Sequence, residues 1–280
     1  MQLAQRLVIG YYRVYLSVLS FFSKRKAAQA AFNLFSTPFT SKIKKTPAVF
    51  KQAEKLLITC GAYQLVGYRW NHPQPKRILL IHGFSSTIKK FDHFVMPLVK
   101  KGYEVLAFDA PAHGESSGAR VNALDFKEAL AAVYRELGPI HGFIAHSFGG
   151  LAVSLLLEEI SSNEAQKLVL IAPATETTTA LNSFCKFLKI QPEVQVAIRQ
   201  LIYNKKQRWP EWYSIRRALQ HIHADVLWIH DRDDDVTPWA DAERVQEDAH
   251  THVRFLLTKG LGHRRIYRDN QVKKAVFDFF

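Results

Sequence analysis

The residues with the clearest chemical potential surround Ser147, in the stretch 144–150. A short apolar run, 140–144, precedes this serine, and a helical pattern, 151–160, follows it. Small residues stand two positions away on either side, with Ala145 where glycine is usual. This spacing is typical of a sharp strand-to-helix turn, because bulky side chains there would collide with the neighbouring strand and helix. Such a turn lifts the hydroxyl above a sheet, so we predict that Ser147 is a nucleophile.

A serine hydroxyl needs an adjacent base, and a histidine base needs an acid to fix its tautomer. Two further segments supply such residues. The strand-like run 226–230 is followed by acids, namely Asp231, Asp233, Asp234 and Asp235, and His263 follows the last strand-like run in a glycine-containing loop. A third strand-like run, 77–81, ends in His82, Gly83 and Phe84.

Serine, aspartate and histidine in this order, each just past a strand-like segment, are the pattern of the α/β-hydrolase superfamily. From about residue 63 to 280 the chain resembles this superfamily, and above all small bacterial hydrolases of the esterase, lipase and acyl-hydrolase kind. The resemblance implies that His263 is the general base. In the family pattern His-Gly-x-x-Asp, Asp231 takes the place of the glycine, and counting then gives Asp234 as the triad acid. Asp233 and Asp235 remain alternatives.

A calcium loop is a competing interpretation of the acids at 231, 233 and 235, but the sixth and twelfth positions of such a loop should be Gly and Glu. The chain has Val236 and Ala242 there. An acyl-transfer site also needs two backbone donors for the developing oxyanion. We expect these from the N–H groups of Phe148 and Phe84. The segment 109–116 also resembles a recurrent family loop, and we interpret it as structural.

Strand-like runs alternate with helical patterns from residue 63 onward, which predicts an α/β fold with a mostly parallel sheet and helices on both faces. Strands are predicted near 63–70, 77–82, 104–109, 140–146, 167–172, 225–230 and 253–257, and helices near 87–100, 122–137, 148–160, 239–249 and 264–279. A further short helix is predicted at 47–57. The interval 174–222 contains only helical patterns, and its length favours a small helical cap, the feature that the resemblance implies at this point.

Positive charge is concentrated at the start of the chain. The net charge is +13, and residues 1–60 carry ten Lys or Arg and one acid, Glu54. Apolar residues recur at helical spacing from Leu3 to Phe22, interrupted by Arg13. We therefore expect two domains, a basic helical arm at 1–60 and a hydrolase domain at 61–280. The apolar face of the arm either packs on the hydrolase body or contacts an anionic membrane.

The leading hypothesis is a serine hydrolase that cleaves a carboxylic ester or thioester through an acyl-enzyme on Ser147. An acyltransferase or a peptidase with the same triad is an alternative, and a non-catalytic binding module is an alternative of another class. A small acyl ester is the expected partner, and no cofactor, metal or nucleic acid is expected. Two cysteines without a disulfide framework favour a reducing, cytoplasmic location, with peripheral membrane contact left open.

Overall fold

A computed structural model describes residues 3–39, 46–160 and 166–280. Eight of its strands form one sheet in the order β1-β2-β4-β3-β5-β6-β7-β8. The strands are β1 (Glu54–Cys60), β2 (Tyr63–Trp70), β3 (Arg77–Ile81), β4 (Glu104–Phe108), β5 (Gly142–His146), β6 (Lys167–Ile171), β7 (Asp225–Asp231) and β8 (Val253–Thr258). β1 pairs antiparallel with β2, and β2 pairs antiparallel with β4. All other neighbouring strands, from β4 to β8 in the sheet order, pair in parallel.

Helices connect the strands. They are α1 (Leu3–Phe22), α2 (Lys24–Phe35), α3 (Asp92–Lys100), α4 (Ala123–Leu137), α5 (Phe148–Leu157), α6 (Thr177–Leu188), α7 (Pro192–Lys206), α8 (Ile215–Ala218), α9 (Trp239–Glu247), α10 (Gly262–Arg265) and α11 (Asn270–Phe279). In the described ranges, none of these helices is long and apolar enough to cross a membrane.

The core lies on both faces of the sheet, because side chains alternate along each strand. On one face, Ile78 and Leu80 of β3 pack in a cluster with Phe94 of α3 and Val272 of α11. On the other face, Ile81 of β3 points toward Gly149 of α5. The predicted architecture, a mostly parallel sheet covered by helices on both faces, is confirmed. The carboxyl ends of the parallel strands share one edge, where ligands of such sheets bind.

The helix predicted at 47–57 is wrong. A 3₁₀ turn occupies Ala48–Gln52, and residues 54–60 form β1, which pairs with β2 from Glu54 opposite Arg69 to Cys60 opposite Tyr63. Gly61, with a φ of 55°, makes the tight turn between the two strands. Pairing satisfies the backbone of this segment, so 54–60 lies in the sheet and not in the N-terminal arm.

The helix predicted at 264–279 is divided into α10 and α11. Asp269 separates them, because its side chain accepts hydrogen bonds from the N–H groups of Gln271 (2.8 Å) and Val272 (3.1 Å). An aspartate that bonds these two N–H groups is an N-cap, so a new helix begins at this residue. The division leaves His263 on the short helix α10, directly after the loop that follows β8.

Two compact units make up the chain. One contains the residues up to Thr37 together with Glu176–Ser214, and the other contains Pro38–Thr175 with Ile215–Phe280. In the first unit α2 packs on α7, with Ala31 and Phe32 buried on α2 and Ile198 on α7. Helices of the predicted arm and of the predicted insertion thus belong to one unit, the helical unit.

The last part of the predicted insertion, from Ile215 onward, belongs to the second unit. Helix α8 packs on α5 and belongs to the second unit, which contains the sheet. The helical unit therefore ends at Ser214, several residues before the end of the interval 174–222. Three lysines of the predicted arm, Lys42, Lys44 and Lys45, lie outside the described residues.

Candidate active site

Ser147 occupies a strained turn between β5 and α5. Its φ of 55° and ψ of −124° lie outside the regions that L residues prefer, and its N–H donates to the Ile171 carbonyl at 3.1 Å. Strain of this kind persists only where the surroundings enforce it. Gly149 permits the turn, because a Cβ there would lie 2.4 Å from the carbonyl oxygen of His82. Gly149, two positions after Ser147, therefore has the steric role that the sequence predicts for a small residue there.

The structure brings Ser147, His263 and Asp234 together. His263 Nε2 lies 3.0 Å from Ser147 Oγ, and His263 Nδ1 lies 2.9 Å from Asp234 Oδ2. All three residues are buried, with 6–8% of their surface exposed. Since the carboxylate can only accept, Nδ1 carries a proton and donates a hydrogen bond to Asp234. Nε2 is then free to accept the hydroxyl proton of Ser147.

Asp234 is held as a carboxylate by four donors. Oδ1 accepts from the N–H groups of Val236 and Thr237, both at 2.8 Å, and Oδ2 accepts from the Thr237 hydroxyl at 2.9 Å as well as from His263. Burial alone would raise the pKa of Asp234, but the hydrogen bond and charge of His263 and these N–H groups together hold it below the ordinary value. Thr237, which the sequence analysis did not single out, orients the acid.

The other acids of this loop have different surroundings. Asp233 and Asp235 are exposed. Asp231 is fully buried, but its carboxylate accepts from the Thr258 hydroxyl at 2.6 Å and from the Leu261 N–H at 3.0 Å. Asp231 thus fixes the loop that leads to His263 without contacting the imidazole. In the described parts of the chain, no group of three or more His, Cys, Asp or Glu side chains is arranged to hold a metal ion.

His146, directly before Ser147, contacts His263. Its Nε2–H donates to the backbone carbonyl of His263 at 3.0 Å, and the two imidazole rings are 4.7 Å apart. Burial lowers the pKa of His146 to about 3, so the ring is neutral at ordinary pH. His146 therefore ties the end of β5 to α10. The sequence places His146 in the motif but does not show this contact.

The two predicted oxyanion donors lie beside Ser147. Phe148 is the first residue of α5, so its N–H has no acceptor within the helix. The loop after β3 passes close to the serine, since a Cβ on Gly83 would lie 2.8 Å from Ser147 Cβ. The rings of Phe84 and Phe148 meet edge to face, with centroids 5.6 Å apart. The loop that contains Phe84 therefore lies next to the turn that carries Ser147.

His82 fixes the direction of the Phe84 N–H. Its Nε2 accepts from the Ala110 N–H at 3.0 Å, so the proton is on Nδ1, which donates to the Gly83 carbonyl at 2.7 Å. In a trans peptide the C=O and N–H point in opposite directions. Holding the Gly83 carbonyl therefore directs the Phe84 N–H away from His82. Burial lowers the pKa of His82 to about 4, which preserves this neutral tautomer.

His113 holds the next peptide of the same loop. Its Nε2 accepts from the Ser85 N–H at 2.9 Å, and its Nδ1–H donates to the Pro111 carbonyl at 2.9 Å. Burial, aided by the nearby His82, lowers the pKa of His113 to about 4. The segment 109–116, interpreted from the sequence as structural, supports the loop through this ring.

Asp109 connects the segment 109–116 to the turn that follows the loop after β3. Its carboxylate accepts from the N–H groups of Ile88 (2.9 Å) and Glu115 (3.0 Å). Burial raises the pKa of Asp109 despite these donors. Gly114, at a φ of 52°, makes room for the carboxylate, because a Cβ there would lie 1.9 Å from Asp109 Oδ2. The sequence shows these side chains as a motif without revealing that Asp109 joins this segment to the turn at Ile88.

Comparison with known proteins agrees with this architecture. A family model described as serine aminopeptidase, S33, matches residues 72–213, just over half of the chain. A Mycoplasma pneumoniae protein named "Putative esterase/lipase 2" is 28% identical over 112 residues, which are 38% of this chain and 41% of that protein. The match thus spans about two fifths of the length of this curated relative.

Solved structures resemble the fold over most of the chain. The esterase Pf2001 of Pyrococcus furiosus is 21% identical, with a TM-score of 0.64 over 87% of this chain and 96% of that chain. Est1E of Butyrivibrio proteoclasticus, solved with ferulic acid bound, is 18% identical, with a TM-score of 0.61 over 80% of this chain and 97% of that chain. At these identities the likeness shows the fold alone. Together with the family match, it shows that the chain belongs to the serine aminopeptidase S33 family of α/β-hydrolases.

Proposed function

We propose that this protein is a serine hydrolase that cleaves a carboxylic ester or thioester through an acyl-enzyme on Ser147. The proposal depends on one observation, the hydrogen-bonded series from Ser147 Oγ to His263 (3.0 Å) and from His263 to Asp234 (2.9 Å). A buried nucleophile, a base and an orienting acid in this geometry are what activation of a serine hydroxyl requires.

The first step follows from these positions. His263 Nε2 takes the hydroxyl proton while Ser147 Oγ attacks the carbonyl carbon, and Asp234 stabilises the resulting imidazolium. The negative oxygen of the tetrahedral intermediate accepts hydrogen bonds from the N–H groups of Phe84 and Phe148. The bond to the leaving alcohol or thiol then breaks, and His263 returns the proton to it. Water repeats the sequence on the acyl-enzyme and releases the acid.

A peptidase is the second candidate, because the matching family is described as a serine aminopeptidase. The same residues would serve, but the leaving group would be an amine, which must gain a proton from His263 before the C–N bond breaks. The names of the similar proteins support the ester, since the Mycoplasma pneumoniae relative and the Pyrococcus furiosus structure are both named as esterases.

The test compares nitrophenyl esters of increasing acyl length with aminoacyl nitroanilides. We expect turnover of the esters, and we expect Ser147→Ala to lower kcat by about 10⁴-fold or more, since triad members act as a unit. Ser154→Ala is the matched control, because Ser154 is a buried serine of α5, the helix that follows Ser147, and its hydroxyl donates to the Gly150 carbonyl. Faster turnover of the anilides would favour the peptidase. Ester turnover that survives in Ser147→Ala would overturn the proposal.

A further inference from the structure

Helix α1 has a wide apolar face that the helical unit does not cover. Side chains spaced by three or four residues form it, and these are 54–85% exposed: Leu7, Tyr11 (63%), Val14, Val18, Phe21 and Phe22. No charged residue interrupts this row. Contiguous apolar surfaces of this kind are unusual on soluble proteins and mark sites of interaction.

The opposite face of α1 fixes the orientation of the helix. Arg13 Nη2 donates to the Phe187 carbonyl at 2.6 Å, and the Ser20 hydroxyl lies 3.0 Å from Gln191 Oε1. Leu16 is buried between these two contacts. Polar groups thus face inward and the apolar row faces outward, which is the reverse of an ordinary surface helix.

The helical unit that carries this face has a strong excess of positive charge. Residues 1–37 contain no Asp or Glu, and the helical unit has eleven Lys or Arg against three acids, a net charge of +8. Lys24, Arg25 and Lys26 follow α1 directly and are exposed. A partner for this face must therefore be apolar where it meets α1 and negative beside it.

We propose that the exposed face of α1 lies in the headgroup region of an anionic lipid bilayer, with Lys24, Arg25 and Lys26 at the lipid phosphates. A second copy of the chain fits less well, because pairing through this face would bring two charges of +8 together. Aromatic side chains such as Tyr11 and Phe21 suit the boundary between acyl chains and headgroups. With twenty residues, the helix is about 30 Å long and would lie in the membrane plane.

Co-sedimentation of the full chain with vesicles tests the proposal. We expect binding to mixed phosphatidylglycerol and phosphatidylcholine vesicles, and weaker binding as salt rises. Val14→Asp should lower the partition coefficient about tenfold or more, because burial of a valine side chain is lost. Val196→Asp is the matched control on α7, where the valine is 66% exposed against 64% for Val14. It should change binding by less than about twofold.

Charge is tested separately. Lys26→Glu should weaken binding to the anionic vesicles about fivefold or more, since each cation at such a surface contributes about 1 kcal/mol. Lys100→Glu, the same charge change at an exposed lysine of α3, should have a smaller effect. Equal losses in Val14→Asp and Val196→Asp would overturn the proposal. The proposal would also be overturned if the chain does not bind vesicles and sedimentation velocity instead shows a dimer that Val14→Asp dissociates.

Discussion

Burial separates the acid beside His263 from its neighbours in sequence. Within the run 231–235, Asp234 has a fully buried side chain and is surrounded by donors, whereas Asp233 and Asp235 point to solvent. Asp231 is equally buried, but its carboxylate is used by Thr258 and Leu261. The two buried carboxylates thus have different partners. Asp234 bonds the imidazole of His263, and Asp231 bonds the loop that leads to His263.

Replacement of Asp234 by asparagine tests this assignment. The amide can donate to Nδ1, which would favour the wrong tautomer of His263. We therefore expect Asp234→Asn to lower kcat about 10⁴-fold, the loss that the same change causes in serine proteases. Asp233→Asn and Asp235→Asn are controls of equal chemistry and should keep kcat within about twofold, as exposed positions do. A larger loss in either control would show that another acid serves the base.

Counting along the motif leads to Asp234, because the offset from the strand is a local property of the chain. The partners of His82, His113 and His146 could not be predicted in this way. Each of these rings bonds a backbone group that is distant in sequence. For His146 this group is the carbonyl of His263, 117 residues away. Such contacts depend on where β3, β4 and β5 end in space.

At the scale of elements, the loop after β3 is held at successive peptides. His82 bonds the Gly83 carbonyl and His113 bonds the Ser85 N–H, so the intervening Phe84 N–H has a fixed direction. Both rings must be neutral for these bonds to form, and burial keeps each pKa near 4. The loop is therefore organised before a substrate arrives, which is what stabilisation of an oxyanion requires.

His113→Phe tests this organisation. The ring volume remains, but the acceptor for the Ser85 N–H is lost. We expect kcat for a nitrophenyl ester to fall roughly tenfold with little change in KM, less than the 10²–10³-fold cost of removing a donor itself. His252→Phe is the control, because His252 lies directly before β8, at the amino end of the strands, whereas His113 follows β4 at their carboxyl end. A fall in the thermal midpoint with unchanged kcat would instead indicate that His113 only stabilises the fold.

Most strands could be predicted because buried parallel strands are continuous apolar runs bounded by turns. The segment 54–60 could not, because it begins with Glu54 and Lys55, Thr59 interrupts its apolar residues, and most of its side chains are at least partly exposed. As the edge strand of the sheet, β1 has one neighbour only, which leaves room for polar residues. Residues 54–60 form a strand because they pair with β2, and the local sequence pattern does not reveal this pairing.

At the scale of the molecule, the chain departs from the predicted division at residue 60. The arm helices α1 and α2 share a unit with α6 and α7, which follow them by about 140 residues in sequence. The sheet, with Ser147, Asp234 and His263, belongs to the other unit. Helical periodicity predicts which face of α2 is apolar, but not that α7 will cover it. Most of the net charge lies in the helical unit, +8 of +13.

Covalent trapping tests whether Ser147 is the nucleophile of an acyl-transfer site. A fluorophosphonate reacts when Ser147 Oγ forms a bond to phosphorus, fluoride leaves and His263 takes the hydroxyl proton. Intact-mass measurement with peptide mapping should find one adduct per chain, on Ser147, and none in Ser147→Ala. An adduct on any other residue, or an unmodified wild-type chain under conditions in which it turns over esters, would show that Ser147 is not the nucleophile.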